Sequence, residues 1–88
     1  MEQIIITLFT RQRCSLCEKA KKAILDLKQD WDFTLEEIDI DESDELTELY
    51  GIMIPVMHIN GEEVAFGIID KNDISNRLQE KTKSFKLK

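Results

Sequence analysis

Apolar and polar positions recur along this chain with two different periods, and the switches between them divide it into elements. Residues 3–9 carry Ile4, Ile5, Ile6, Leu8 and Phe9 without helical spacing. Such an apolar, β-branched run predicts a strand buried on both faces, as the central strands of α/β sheets are. Over residues 15–28 the pattern changes. Leu16, Ala20, Ala23, Ile24 and Leu27 fall at helical spacing, with Glu18, Lys19, Lys21, Lys22 and Asp26 mostly opposite them. A second strand is predicted over 32–39, where Phe33 and Leu35 alternate before Glu36-Glu37 shifts the phase ahead of Ile38 and Ile40. A short acidic helix over 42–50 follows, with Leu46, Leu49 and Tyr50 inward and Gly51 as its stop.

Pro55-Val56-Met57-His58-Ile59 reads as a third strand and Glu63-Val64-Ala65-Phe66 as a fourth. Between them stands Asn60-Gly61, the pair that two-residue hairpin turns favour because both central residues need positive φ. A last helix is predicted over 70–79, with Ile74 and Leu78 four apart. The order is β-α-β-α-β-β-α. Strands joined through a helix should be parallel and the hairpin antiparallel, so an α/β fold with a four-stranded mixed sheet covered by helices is expected. No repeat or second domain is visible. We place one domain over residues 1–80 and a basic tail over 81–88, marked by Lys81, Lys83, Lys86 and Lys88.

At 88 residues and 42% hydrophobic content, the chain can bury one modest core. Its net charge of −6, with acidic residues crowded over 36–48, argues against binding a phosphate backbone, so no nucleic-acid partner is expected. No stretch approaches the roughly 20 apolar residues that cross a bilayer, and the opening run is too short for a signal peptide. No membrane partner is expected either, and the chain is expected to act as a cytoplasmic monomer.

The candidate chemistry lies in Cys14-Ser15-Leu16-Cys17. Two cysteines three apart are not the framework of a disulfide-stapled domain, and in a reducing compartment a Cys-x-x-Cys pair is redox or metal chemistry. The thiolate is the nucleophile in disulfide exchange, and a free cysteine is mostly protonated at neutral pH. At a helix start, unpaired N–H groups and the helix dipole favour negative charge, and Arg11 and Arg13 add to them. Cys14 is therefore expected to be exposed, with a lowered pKa, and Cys17 to be more buried and protonated. Positions i and i+3 share a helix face, so Cys17 can attack a mixed disulfide formed at Cys14. The rival uses are a metal site, a shared iron–sulfur cluster or a redox switch without turnover. A zinc site needs four ligands and the only other soft candidate, His58, is predicted mid-strand. No metal ligands are assigned.

Taken with Thr10-Arg11-Gln12-Arg13-Cys14, Glu36-Glu37-Ile38-Asp39-Ile40-Asp41, Ile54-Pro55-Val56 and Ile59-Asn60-Gly61, the chain resembles the glutaredoxins of the thioredoxin superfamily from about Ile4 to Leu78. The resemblance implies a thioredoxin fold and thiol–disulfide oxidoreductase activity on protein or glutathione disulfides through Cys14 and Cys17. It also implies no bound cofactor and reduction by glutathione or a thioredoxin-reductase system. It implies a cis bond before Pro55, with Ile54 and Pro55 offering backbone to a cysteine-bearing substrate strand. It places Arg11 at the glutathione carboxylate, and Gly67 and Asp70 at its γ-glutamyl group. The chain departs from the family in having Ser15-Leu16 for the usual Pro-Tyr, and one glycine and one acid in Phe66-Gly67-Ile68-Ile69-Asp70. In this it looks closer to divergent glutaredoxin-like proteins, some of which take electrons from thioredoxin reductase.

Overall fold

A computed structural model describes the backbone of residues 3–86 and the side chains of residues 3–80. Its elements are β1 (Ile5–Thr10), α1 (Ser15–Asp26), β2 (Thr34–Asp39), α2 (Asp44–Tyr50), β3 (Val56–Ile59), β4 (Glu62–Phe66) and α3 (Lys71–Lys86). Short 3-10 turns follow α1 and β2. The four strands form one sheet in the order β2-β1-β3-β4. β1 runs parallel to β2 and antiparallel to β3, and β3 runs antiparallel to β4.

Alternation along the central strands splits the core in two. Ile4, Ile6 and Leu8 face the same side as Met57 and Ile59. There they meet Ala20, Ile24 and Leu27 from the first helical stretch and Ile74 and Leu78 from α3. Phe9 and Val56 face the other side, where Ile40, Leu46 and Tyr50 cover them. Thus α1 and α3 pack on one face and α2 on the other. Each fully buried aliphatic side chain contributes roughly 1.5–3 kcal/mol, so the first cluster dominates.

Leu49 corrects one expectation. It is 57% exposed, because seven residues of helix can turn only one narrow face inward, and Leu46 and Tyr50 occupy it. The end of α2 is as expected, at Gly51, whose N–H donates to the Thr47 carbonyl at 2.9 Å. A Cβ at Gly51 would lie 2.6 Å from that carbonyl oxygen, which leaves no room for a side chain. The hairpin turn has φ +52° at Asn60 and +87° at Gly61, the two positive values its sequence predicts. Asn60 also ties β1 down, with its backbone N–H donating to the Ile5 carbonyl and its Oδ1 accepting the Ile5 N–H, both at 2.8 Å. α3 runs on to Lys86, into the stretch set apart above as a tail, and residues 87 and 88 lie outside the described residues.

Candidate functional site

Strand pairing gathers the site at one end of the sheet. Thr10 of β1 is level with Asp39 of β2, Phe9 with Val56, and Val56 with Phe66. The loop after β1, the turn after β2, the Ile54-Pro55 approach to β3 and the Gly67-Ile68 loop after β4 therefore lie side by side. Their order across that end follows the sheet order.

Cys14 occupies the N-cap of α1, with extended backbone (φ −115°, ψ 105°). Its Sγ accepts the Cys17 N–H at 3.2 Å, one of the donors that the first turn of a helix leaves unpaired. Most helices use a hydroxyl or carboxylate oxygen there. Here the capping atom is the sulfur that would carry negative charge as a thiolate. Cys14 is half-buried, less open than expected, while Cys17 is buried at 4% exposure. The two form a disulfide, with Cα atoms 5.2 Å apart. Arg13, just before them, has φ +58°, a left-handed conformation that costs a side-chain-bearing residue about 1–2 kcal/mol.

A cleft of about 430 Å³ opens beside the pair, between the loop after β1, the first turns of α1 and the end of β2. Cys17, Arg11, Arg13, Lys21, Glu37 and Glu42 are among its walls. Its charges are largely matched across the strands. The Arg11 Nε donates to both carboxylate oxygens of Asp41 at 3.1 and 3.2 Å, and its second guanidinium nitrogen lies 3.0 Å from Oδ1. Lys21 pairs with Glu37 at 3.1 Å. Asp39 turns its carboxylate back to accept the Asp41 N–H at 2.9 Å.

On the other side of the cysteines the Ile54–Pro55 peptide bond is cis, as the resemblance implies. The Ile54 N–H donates to the Tyr50 carbonyl at 3.1 Å, and the Pro55 carbonyl accepts the Gly67 N–H at 2.8 Å. Gly67 has φ +78°, which suits a glycine where the chain leaves β4 and turns toward α3. Asp70 caps α3: its Oδ1 accepts the Asp73 N–H at 2.8 Å. Arg11, Ile54, Pro55, Gly67 and the cysteines thus share the sheet end. Asp70 stands at the start of α3, with its carboxylate bonded to its own helix.

Two features are not given by the sequence patterns, whereas His58 lies mid-strand as they predict. Asp41, part of the acidic segment and of the stretch that carries the resemblance, is the partner of Arg11; residues just past the ends of paired parallel strands are neighbours, and that is the signal that points to it. Phe66 at the strand end and Ile68 in the loop after it form an apolar lip, at 55% and 78% exposure. His58 stands on β3 level with Thr7, with its Nε2 3.4 Å from the Tyr50 hydroxyl and its ring edge-on to Phe9. Three rungs separate Thr7 from the end of β1, which puts His58 roughly 10 Å along the strand from the site.

A four-stranded mixed sheet in this order, with a cysteine pair at the start of the first helix, defines a protein of the thioredoxin fold. The chain belongs to the family described as the glutaredoxin-like domain (DUF836), whose model matches residues 5–79. Solved structures agree. A protein from Nitrosomonas europaea is 28% identical, with a TM-score of 0.75 over 88% of this chain and 93% of its own. A structural-genomics target from X. campestris is 25% identical, with a TM-score of 0.73 over 85% of this chain and 96% of its own. A mutant thioredoxin from Halobacterium salinarum shares the fold at 21% identity, with a TM-score of 0.68 over 90% and 74%.

Proposed function

We propose that this protein is a dithiol oxidoreductase in which Cys14 is the nucleophile and Cys17 the resolving thiol. One observation carries the reading: the Cys14 sulfur caps α1 and accepts the Cys17 N–H at 3.2 Å, while Cys17 lies buried behind it. A charge on Cys14 gains that donor and the positive end of the helix dipole, and a charge on Cys17 would be desolvated. The two thiols are thereby given different tasks.

In the reaction, the Cys14 thiolate attacks one sulfur of a substrate disulfide. A Cys14–substrate bond forms, and the other substrate sulfur leaves as a thiolate that takes up a proton. Cys17, losing its proton, then attacks the Cys14 sulfur. This forms the Cys14–Cys17 disulfide and releases the second substrate thiol. Two electrons pass from the protein to the substrate. A cellular thiol or dithiol restores the pair, with glutathione and a thioredoxin-reductase system as the two candidate donors, in the cytoplasm and with the protein as a monomer. Arg11, Ile54, Pro55 and Gly67 frame the substrate.

The test uses two variants. Cys14→Ser is expected to abolish reduction of a small disulfide, and Cys17→Ser to accumulate a mixed disulfide visible by mass spectrometry. Undiminished turnover in Cys14→Ser would exclude Cys14 as the nucleophile.

A further inference from the structure

The sheet order sorts the surroundings of the cysteines by chemistry. On the β2 side, residues 36–48 hold eight carboxylates and no cation of their own. Of the three cations across the cleft, Arg11 and Lys21 are already paired with Asp41 and Glu37, which leaves Arg13 against the remaining carboxylates. On the β3–β4 side, exposed apolar side chains stand between the loop and the cysteines, with the acids Glu63 and Asp73 farther out. Ile52 and Ile68 are largely exposed, and Phe66 more than half so. A shallow hollow of about 340 Å³ runs along β4, lined by Val64, Ala65, Phe66 and Ile68 with the carboxylates of Glu63 and Asp73 at its edge. Leu16, between the two cysteines, is 40% exposed and adds an apolar side chain beside the disulfide. In a chain that is 34% charged residues, four of the six large exposed apolar side chains among the described residues, Leu16, Ile52, Phe66 and Ile68, lie in or beside the loops of the cysteine end, whereas Leu25 and Leu49 stand on the helices, and such a grouping marks a contact surface.

Glutathione fits this surface poorly. It carries a net negative charge, and the resemblance anchors its carboxylates on Arg11, on backbone donors beside the cis proline and on the start of α3. Arg11 has three contacts to Asp41. The first turn of α3 is closed by Asp70, and the Ile54 N–H is bonded to Tyr50. An incoming carboxylate would displace one of these partners and approach Asp39 and Glu42 as well.

Resting on the dithiol reading above, we propose that the substrate is a protein disulfide in an extended segment. That segment carries apolar residues on one side of its cysteine and lysine or arginine on the other, and glutathione disulfide is discriminated against. The apolar side lies on Phe66, Ile68 and Leu16, the sulfur meets Cys14, and the basic side runs toward Asp39 and Glu42. Charge complementarity raises the rate of encounter, and apolar contact holds the segment in register. The chemistry is the same two-electron exchange, with the substrate cysteines leaving as thiols.

The experiment compares second-order rates at which the reduced full-length protein becomes oxidised. The disulfides are 2-hydroxyethyl disulfide, oxidised glutathione, and homodimers of five-residue cysteine peptides, made in both chain directions. One peptide is apolar and basic, a second apolar and acidic, a third polar and basic. At low salt the apolar–basic peptide should react about tenfold faster than the acidic one, a gap that narrows as salt screens the flank. It should outpace oxidised glutathione by more. Ile68→Ser should lower the ratio of the apolar–basic peptide rate to the hydroxyethyl rate about tenfold, the scale of one buried aliphatic contact. Asp41→Asn, which frees Arg11, should raise the rate with oxidised glutathione. Oxidised glutathione reacting as fast as the apolar–basic peptide, or equal rates for basic and acidic peptides at low salt, would overturn the proposal while leaving the cysteine roles standing. Failure to reduce even 2-hydroxyethyl disulfide would overturn the dithiol reading itself.

Discussion

Replacing Asp70 separates a helix-capping role from a substrate-binding one. Resemblance alone puts Asp70 at a glutathione site, whereas its Oδ1 accepts the Asp73 N–H at 2.8 Å, across the first turn of α3. A capping aspartate replaced by alanine costs about 1 kcal/mol, within a range of roughly 0.5–2. The charge adds about 0.3–1 kcal/mol through the helix dipole at an exposed position. Asp70→Ala loses both. For a domain of this size each kcal/mol moves the melting temperature by about 4–8 °C, so a fall of about 5–16 °C is expected. Asp70→Asn keeps an acceptor at the N-cap and loses only the charge, so its fall should be less than half as large. α3 should still dock in both, because Ile74 and Leu78 are fully buried against the sheet. The assay pairs thermal unfolding of the oxidised protein with initial rates of disulfide reduction well below the transition. Rates close to wild type in both variants are expected, with stability ordered wild type, Asn, Ala. A large loss of turnover in Asp70→Asn with an unmoved melting temperature would refute this reasoning and return Asp70 to the substrate site.

Two further outcomes follow from backbone geometry. Asn60→Ala removes the acceptor for the Ile5 N–H and puts a Cβ-bearing residue with no local hydrogen bond at φ +52°, for a cost of about 2 kcal/mol. Asn60→Gly keeps the turn and should cost about 1 kcal/mol; chemical denaturation that ranks the two equally would show the turn conformation to be unimportant. Arg13→Gly relieves a left-handed arginine but frees the unfolded chain, so its stability should stay within about 1 kcal/mol of wild type. Loss of the cation beside Cys14 disfavours the thiolate, so the pH profile of Cys14 alkylation in the reduced protein should move to higher pH, and Arg13→Lys should restore it. A profile unmoved in Arg13→Gly would remove Arg13 from the account of Cys14 reactivity.

The legible parts of the chain were those whose signal is local. Ile4 to Phe9 read as a buried strand because β-branched residues packed without helical spacing have few other uses. Asn60-Gly61 read as a hairpin because positive φ at two successive positions narrows the choice of residues. The cysteine pair read as redox chemistry because its spacing and its place at a strand-to-helix junction belong to the same short segment. Leu49 failed because a short helix cannot declare from its own periodicity which part of its apolar arc a neighbouring sheet will cover. Arg11 and Asp70 were visible as charges. Their partners, Asp41 and the first turn of α3, depend on strand pairing and on chain trajectory.

By itself, then, the amino-acid order determined the β-α-β-α-β-β-α succession, the place of a cysteine pair at the start of the first helix, and the positions of the turns. Each of these is set by side chains within a few residues of one another. Only the tertiary structure decided that Arg11 is neutralised by Asp41 thirty residues away, and that Asp70 caps its own helix. It alone laid an acidic flank and an apolar lip on opposite sides of the disulfide. The reason is register: the parallel match of Thr10 with Asp39 and the antiparallel matches through Val56 bring distant loops to one end of the sheet. Register is a property of the strands together, and no single segment contains it.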